Sequence, residues 1–255
     1  MKGCALNFKI NIFPMKSNPQ ISLILAGGYG RRAKTECPKQ FVKVQGHSVL
    51  AYTAAAFQQH PDIDAFYVVC AEEWTEAVSR EMRELGFGKF SGTFLSGATS
   101  IDSLRNGVEG LLAKGVSADT IVVVHEAVRP LVSQAVISDS LAVCNTRGNA
   151  IAGIESYESY LMSPTGIEAN GMQSRYGLFR AQTPQTFSLG NLQRAFTMAA
   201  RRGIHTSQSL FTFMAELGSY PLYISQGEHS NMKLTLPEDL KLFEALVKGG
   251  FLKLP

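Results

Sequence analysis

A chain of 255 residues that is 45% hydrophobic carries enough apolar side chains to bury a substantial core, in one or two domains. Its net charge of +3, from 24 basic and 21 acidic side chains with no long run of either sign, argues against a nucleic-acid-binding surface and suits a local cationic pocket. No stretch reaches the ~18 consecutive apolar residues of a membrane span.

Residues 1–20 mix apolar positions with Asn7, Lys9 and Asn11, and lack the uninterrupted apolar centre of a signal peptide. They read as a disordered leader, with residues 1–14 either unstructured or a mis-assigned start, ahead of a single domain over 21–255. From Ile21, apolar strand-like runs alternate with segments of helical period. The pairs are Ile21–Leu25 with a helix near Ser48–Gln59, Ala65–Cys70 with Glu72–Leu85, Gly92–Leu95 with Ile101–Leu112, and Ile121–Val124 with Ser133–Cys144. Such alternation predicts a Rossmann-like α/β fold, a mostly parallel sheet with helices on both faces and its site at the carboxyl ends of the strands. Between Ile151 and Phe187 the alternation stops, and a Ser-Pro-Thr-Gly turn signal predicts a β-hairpin arm over about 151–180. Helices near Gly190–Arg202 and Thr206–Leu217, a strand at Pro221–Ser225 and a helix from Leu236 complete the chain. Cys4, Cys37, Cys70 and Cys144 are scattered without CxxC spacing, which predicts reduced thiols in a cytoplasmic protein.

The stretch Leu23 to Gln40 joins a buried strand to Gly27, Gly28 and Gly30, then to Arg31, Arg32 and Lys39. Glycines after a strand let backbone N–H groups approach a phosphate, and three cations add to the attraction. It is neither the dinucleotide fingerprint nor the P-loop. A second cluster, IVVVHEAVRP over 121–130, ends an apolar strand on Glu126, where a carboxylate can hold a metal at the sheet edge. His125 has no second histidine at ligand spacing, so it reads as a packing residue.

The glycine-arginine-lysine stretch resembles the signature of nucleotidyltransferases that join a nucleoside monophosphate to a sugar or alditol phosphate. Its ECPKQ ending is similar to the cytidylyltransferases of methylerythritol phosphate and ribitol phosphate. Further matches in chain order are IVVVHEAVRP, GATSIDSLRNG (97–107), SRYGLFRAQTPQTF (174–187) and QGEHSNMKLTLPEDL (226–240), so the resemblance covers residues 20 to 245.

That resemblance implies CTP and a polyol phosphate as substrates, Mg²⁺ as cofactor and a homodimer whose arm crosses to the partner. It implies Arg32, Lys39 and Lys233 as catalytic cations on the CTP phosphates, and Glu126 as the metal ligand. Ala26, Gly27, Gly28, Gly30, Gly97, Ser103 and Arg129 are implied in nucleotide binding, with Ser103 reading cytosine. Glu158, Ser159, Arg175 and Thr183 are implied in binding the acceptor. Ser100 stands where methylerythritol phosphate enzymes carry arginine, and Thr99 and the Gln182-Thr-Pro-Gln stretch match the ribitol phosphate form. The chain departs from the family at Glu126 and Glu158, each in place of aspartate, at Ser207 in place of an acid and at Ala33 in place of methionine. The leading expectation is CDP-alditol synthesis for surface polymers such as teichoic acid or capsule. The alternatives are the methylerythritol phosphate enzyme of isoprenoid synthesis, a relative acting on another polyol phosphate, and a CTP-binding protein without turnover.

Overall fold

The computed structural model describes residues 19–28 and 37–254, so the expectations for residues 1–18 and for Gly30, Arg31 and Arg32 lie outside the described residues. In chain order the elements are β1 (Gln20–Leu25), a ribbon of β2 (Lys43–Val44) and β3 (His47–Ser48), α1 (Val49–Gln59), β4 (Ala65–Cys70), α2 (Thr75–Glu84) and β5 (Phe90–Leu95). Then come α3 (Ser100–Ala113), β6 (Ile121–Glu126), α4 (Gln134–Arg147), β7 (Asn149–Glu155), β8 (Tyr160–Met162), β9 (Gly171–Gln173) and β10 (Phe179–Ser188). The chain closes with α5 (Leu189–Arg202), α6 (Leu210–Glu216), β11 (Ile224–Gln226) and α7 (Pro237–Lys248).

A seven-stranded sheet runs in the order β11-β7-β10-β6-β1-β4-β5. The β5, β4, β1 and β6 strands are mutually parallel, as the β-then-α alternation predicts. Only β10 runs against its neighbours, β6 and β7. Period-2 alternation sends successive side chains to opposite faces. Accordingly Val122 and Val124 of β6 pack with Leu104, Val108, Leu192 and Phe213 of α3, α5 and α6. Val123 faces the other way and packs with Leu50, Phe57, Val136 and Leu141 of α1 and α4. Both faces being covered explains why the central strands are apolar at nearly every position.

Helix starts are set by short hydroxyl side chains that accept a first-turn N–H. Ser48, Thr99, Ser133, Ser188 and Ser209 each do so, and Thr99 completes a capping box with Asp102. This fixes the N-terminus of α3 beside Gly97.

The arm is shorter than the sequence implies. Residues 151–155 and 179–180 belong to the central sheet through β7 and β10, and only residues 156–178, carrying the small β8–β9 hairpin, project from it. β10 buries Gln182, Thr183, Gln185 and Thr186 alongside Phe187, and these polar residues find partners inside, such as Ser140 Oγ at 2.7 Å from Thr186 Oγ1. Among the described residues no helix is long and apolar enough to cross a membrane. Burial pushes the Cys70 and Cys144 thiols up to about 12 and 11, so both are protonated, packed side chains.

Candidate active site

The carboxyl ends of β1, β5 and β6 come together around a cleft of about 390 Å³. Gly27, Gly28, Gly97, Ser103, Lys39, Glu126 and Lys233 all line it, so residues far apart in sequence converge as the motifs imply. Backbone proximity, rather than turn conformation, demands two of these glycines. A Cβ on Gly27 would lie 2.4 Å from Ser96 Cβ, and one on Gly97 would lie 2.3 Å from Asp102 Cβ. Ala26 is buried beneath the floor, where its carbonyl accepts from Gln40 Nε2 at 2.6 Å. The same amide donates to the Gly28 carbonyl at 2.8 Å, so Gln40 braces the glycine turn.

Ser103 is buried, accepts from the Gly97 N–H at 3.0 Å and donates to the Thr99 carbonyl at 2.9 Å. Its single proton is committed to Thr99, and one lone pair remains. Lys39 is only 6% exposed and donates to the Leu234 and Thr235 carbonyls at 2.9 and 3.2 Å. It therefore ties the Pro38–Phe41 turn to the segment that carries Lys233.

Glu126 is the electrostatic centre. One carboxylate oxygen pairs with Lys233 Nζ and the other accepts from Arg129 Nε at 2.8 Å, while the Glu126 N–H donates to Thr183 Oγ1 at 3.2 Å. Burial alone would push this carboxyl up, but Lys233 and then Arg129 hold it below the ordinary carboxylate value. His125 lies wholly inside, Nε2 at 3.1 Å from the Arg129 carbonyl and its ring against Phe57. Burial lowers it to about 4, so it is a neutral packing residue that shapes the Glu126–Arg129 turn.

A smaller cavity of about 220 Å³ adjoins the cleft and shares Leu25, Ser100, Glu126 and Lys233 with it. Thr183 and Arg129 line this second cavity, with Gln182, Gln185 and Gln208. Arg129 is thus placed on the smaller cavity rather than on the glycine-lined cleft. Glu158, Ser159 and Arg175 line neither; they sit exposed on the arm, where Arg175 Nη1 donates to the Tyr157 carbonyl at 3.1 Å. Two residues that the motifs do not single out prove structural to the site. They are Gln40 and Asn231, whose main-chain carbonyl accepts from Arg129 Nη1 at 2.8 Å.

A glycine-lined cleft at the carboxyl edge of a parallel sheet, with lysines and one carboxylate at its mouth, can hold a nucleoside triphosphate by its phosphates; the class it defines is nucleotidyltransferase. Comparison with known proteins narrows this. Residues 21–249 match the family model described as IspD: 2-C-methyl-D-erythritol 4-phosphate cytidylyltransferase, and the chain belongs to this family of CTP-dependent cytidylyltransferases. It is 35% identical to the ribitol-5-phosphate cytidylyltransferase of Lacticaseibacillus paracasei, over 89% of this chain and 97% of that one. It is 30% identical to the 2-C-methyl-D-erythritol 4-phosphate cytidylyltransferase of Geotalea uraniireducens, over 89% and 96%. The crystal structure of 2-C-methyl-D-erythritol 4-phosphate cytidylyltransferase from Thermus thermophilus superposes with a TM-score of 0.68 at 26% identity, covering 91% of this chain and 99% of that one.

Proposed function

We propose that the chain transfers CMP from CTP to ribitol 5-phosphate, giving CDP-ribitol and pyrophosphate. The observation that carries this reading is the junction of the two cavities, which share Ser100, Glu126 and Lys233. CTP fits the larger cleft and the acceptor the smaller, so the α-phosphorus lies where they meet. A phosphate oxygen of the acceptor attacks that phosphorus, a P–O bond forms, and the bond to the β-phosphate breaks to release pyrophosphate. The nucleophile is a phosphate oxygen already ionised at neutral pH, so no general base is needed. Positioning and charge neutralisation remain, and Lys39, Lys233 and Arg32 supply the charge.

The free lone pair of Ser103 favours cytosine, whose exocyclic amine can donate to it, over uracil, whose carbonyl cannot. Ser100 at the first turn of α3 leaves the junction without the arginine of methylerythritol phosphate enzymes. The 30% identity to such an enzyme keeps that acceptor as the second reading.

Mg²⁺ would be held by Glu126 with CTP phosphates, where it would neutralise phosphate charge. The donor set fits only in that form. Among the described residues no three His, Cys, Asp or Glu side chains converge, and both Glu126 oxygens are paired with cations. Magnesium commonly binds through one or two carboxylates plus substrate phosphates.

The arm exposes Leu161, Ile167, Met172 and Tyr176 on a hairpin too small to stand alone. It therefore supports a homodimer, in which Glu158, Ser159 and Arg175 serve the neighbouring subunit's acceptor cavity. Protonated, packed thiols suit a cytoplasmic setting.

Pyrophosphate release with CTP, Mg²⁺ and a panel of polyol phosphates tests the reading. Turnover is expected with ribitol 5-phosphate. Release only with methylerythritol phosphate would shift the reading to that acceptor, and CTP binding without release on any acceptor would leave a nucleotide-binding protein. Light scattering at micromolar concentration decides the dimer.

A further inference from the structure

Asn231 is fully buried and lines neither cavity, yet it is joined to both. Its Nδ2 donates to the Thr183 carbonyl at 2.8 Å and approaches Gln182 Oε1 at 3.3 Å, while its main-chain carbonyl, which a side-chain substitution leaves in place, accepts from Arg129 Nη1 at 2.8 Å. Gln182 reaches back to the same segment. Its Nε2 donates to the Glu228 carbonyl at 2.8 Å, and its Oε1 accepts the Glu228 N–H at 3.2 Å. Gly227 makes room for this exchange, since a Cβ there would lie 2.6 Å from Gln182 Oε1. Two residues beyond Asn231, Lys233 pairs with Glu126, and the Leu234 N–H donates to the Val128 carbonyl at 2.8 Å.

We propose that Asn231, braced by Gln182, is a positioning residue for nucleotidyl transfer. It fixes Lys233 on the nucleotide side against Thr183 and Arg129 on the acceptor side without touching either substrate. The inference rests on reading the larger cleft as the CTP site and the smaller as the acceptor site. Only an amide or similar donor satisfies the buried Thr183 carbonyl from this position, and a carbonyl left unpaired would draw β10 and the 227–235 segment apart. A displacement of about 1 Å is enough to cost ~100-fold in rate when reacting groups must align.

A brace that serves stability alone gives a different signature, and Asn149 provides it. Its Nδ2 donates to the Pro221 carbonyl at 3.1 Å and its Oδ1 accepts the Tyr223 N–H at 2.9 Å, away from both cavities. The test compares Asn231→Ala, Gln182→Met and Asn149→Ala in the full chain, well below their melting temperatures. Wild-type turnover with CTP and ribitol 5-phosphate is measured first, and its absence would refute the functional reading alone. In Asn231→Ala and Gln182→Met, kcat is expected to fall at least tenfold while CTP affinity by calorimetry stays within threefold. In Asn149→Ala, kcat stays within twofold of wild type.

Hydrogen–deuterium exchange gives a readout independent of turnover. The Glu126 and Leu234 amides are expected to exchange faster in Asn231→Ala and not in Asn149→Ala. Unchanged exchange at those amides, a kcat matching that of Asn149→Ala, or a loss confined to CTP affinity would each overturn the proposal. Should Asn231→Ala fail to fold, Asn231→Ser decides by the same criteria, because Gln182 itself lines the smaller cavity.

Discussion

Replacing Glu126 by aspartate separates two explanations for the longer acid at this position. If glutamate is a decayed aspartate, Glu126→Asp should raise turnover or lower the Mg²⁺ requirement. The geometry argues the reverse. One oxygen reaches Lys233 while the other holds Arg129 Nε at 2.8 Å, and removing a methylene withdraws the carboxylate by about 1.5 Å. Arg129 is buried and its Nη1 is fixed by the Asn231 carbonyl, whereas the Lys233 side chain is 40% exposed. The Lys233 contact is therefore the one that opens. Such a partly exposed pair is worth about 1 kcal/mol at most, or roughly fivefold in rate if Lys233 is no longer presented to the phosphates. The assay is pyrophosphate release against Mg²⁺ concentration. A several-fold lower kcat with an unchanged or higher Mg²⁺ midpoint is expected, and Glu126→Ala and Glu126→Gln should both be nearly inactive. A faster Glu126→Asp enzyme, or a lower Mg²⁺ midpoint, would refute the reasoning. An unaffected Glu126→Ala enzyme would remove the residue from the mechanism.

Gly97→Ala places a Cβ 2.3 Å from Asp102 Cβ and 2.9 Å from its carbonyl carbon, so the first turn of α3 and its capping box must move. The expected cost is about 2–4 kcal/mol, with at least tenfold weaker CTP binding, checked by thermal denaturation and calorimetry. Lys39→Met removes a buried amine from the Leu234 and Thr235 carbonyls and should lower kcat by more than it lowers CTP affinity; losses in equal proportion would make Lys39 a binding group only. Because the folded value of Glu126 lies below its unfolded one, the stability it contributes is present above about pH 4.3 and fades as pH falls through the folded value. Glu126→Gln should therefore be less stable than wild type at pH 7, with the gap narrowing under acid; a constant gap from pH 7 to pH 3 would show that its charge does not matter for stability.

The parallel half of the fold is legible in the sequence because its strands are short apolar runs buried on both faces. Ala65–Cys70 is placed to the residue, and the helices that follow fall within a few positions of α1 to α4. The antiparallel part is legible as a hairpin but not as part of the central sheet, for a physical reason. Beside Phe187, β10 buries two Gln and two Thr, and only the folded chain reveals that Ser140 partners Thr186 and Asn231 partners Thr183. The β2–β3 ribbon escapes too, being two residues per strand around a Gln45-Gly46 turn with φ of 50° and 87°. Within the site, the glycines and the charged residues announce themselves by type and order. Gln40 and Asn231 do not, because each acts through hydrogen bonds to backbone groups that no local pattern predicts.

The arrangement of charge in the free enzyme has a consequence for how the site works. Lys233 and Arg129 both rest on Glu126, and Lys39 holds the carbonyls one and two residues beyond Lys233, so the fold gathers these cations and anchors them. Left without Glu126, Lys233 and Arg129 would repel one another in a partly buried space. With it, they are oriented at little cost in side-chain entropy when the triphosphate binds. On the proposed reading, the CTP phosphates would compete with Glu126 for Lys233, and each displacement would free a carboxylate oxygen. On that reading a single acid, paired with both Lys233 and Arg129, would act first as their counter-ion and then as an oxygen donor.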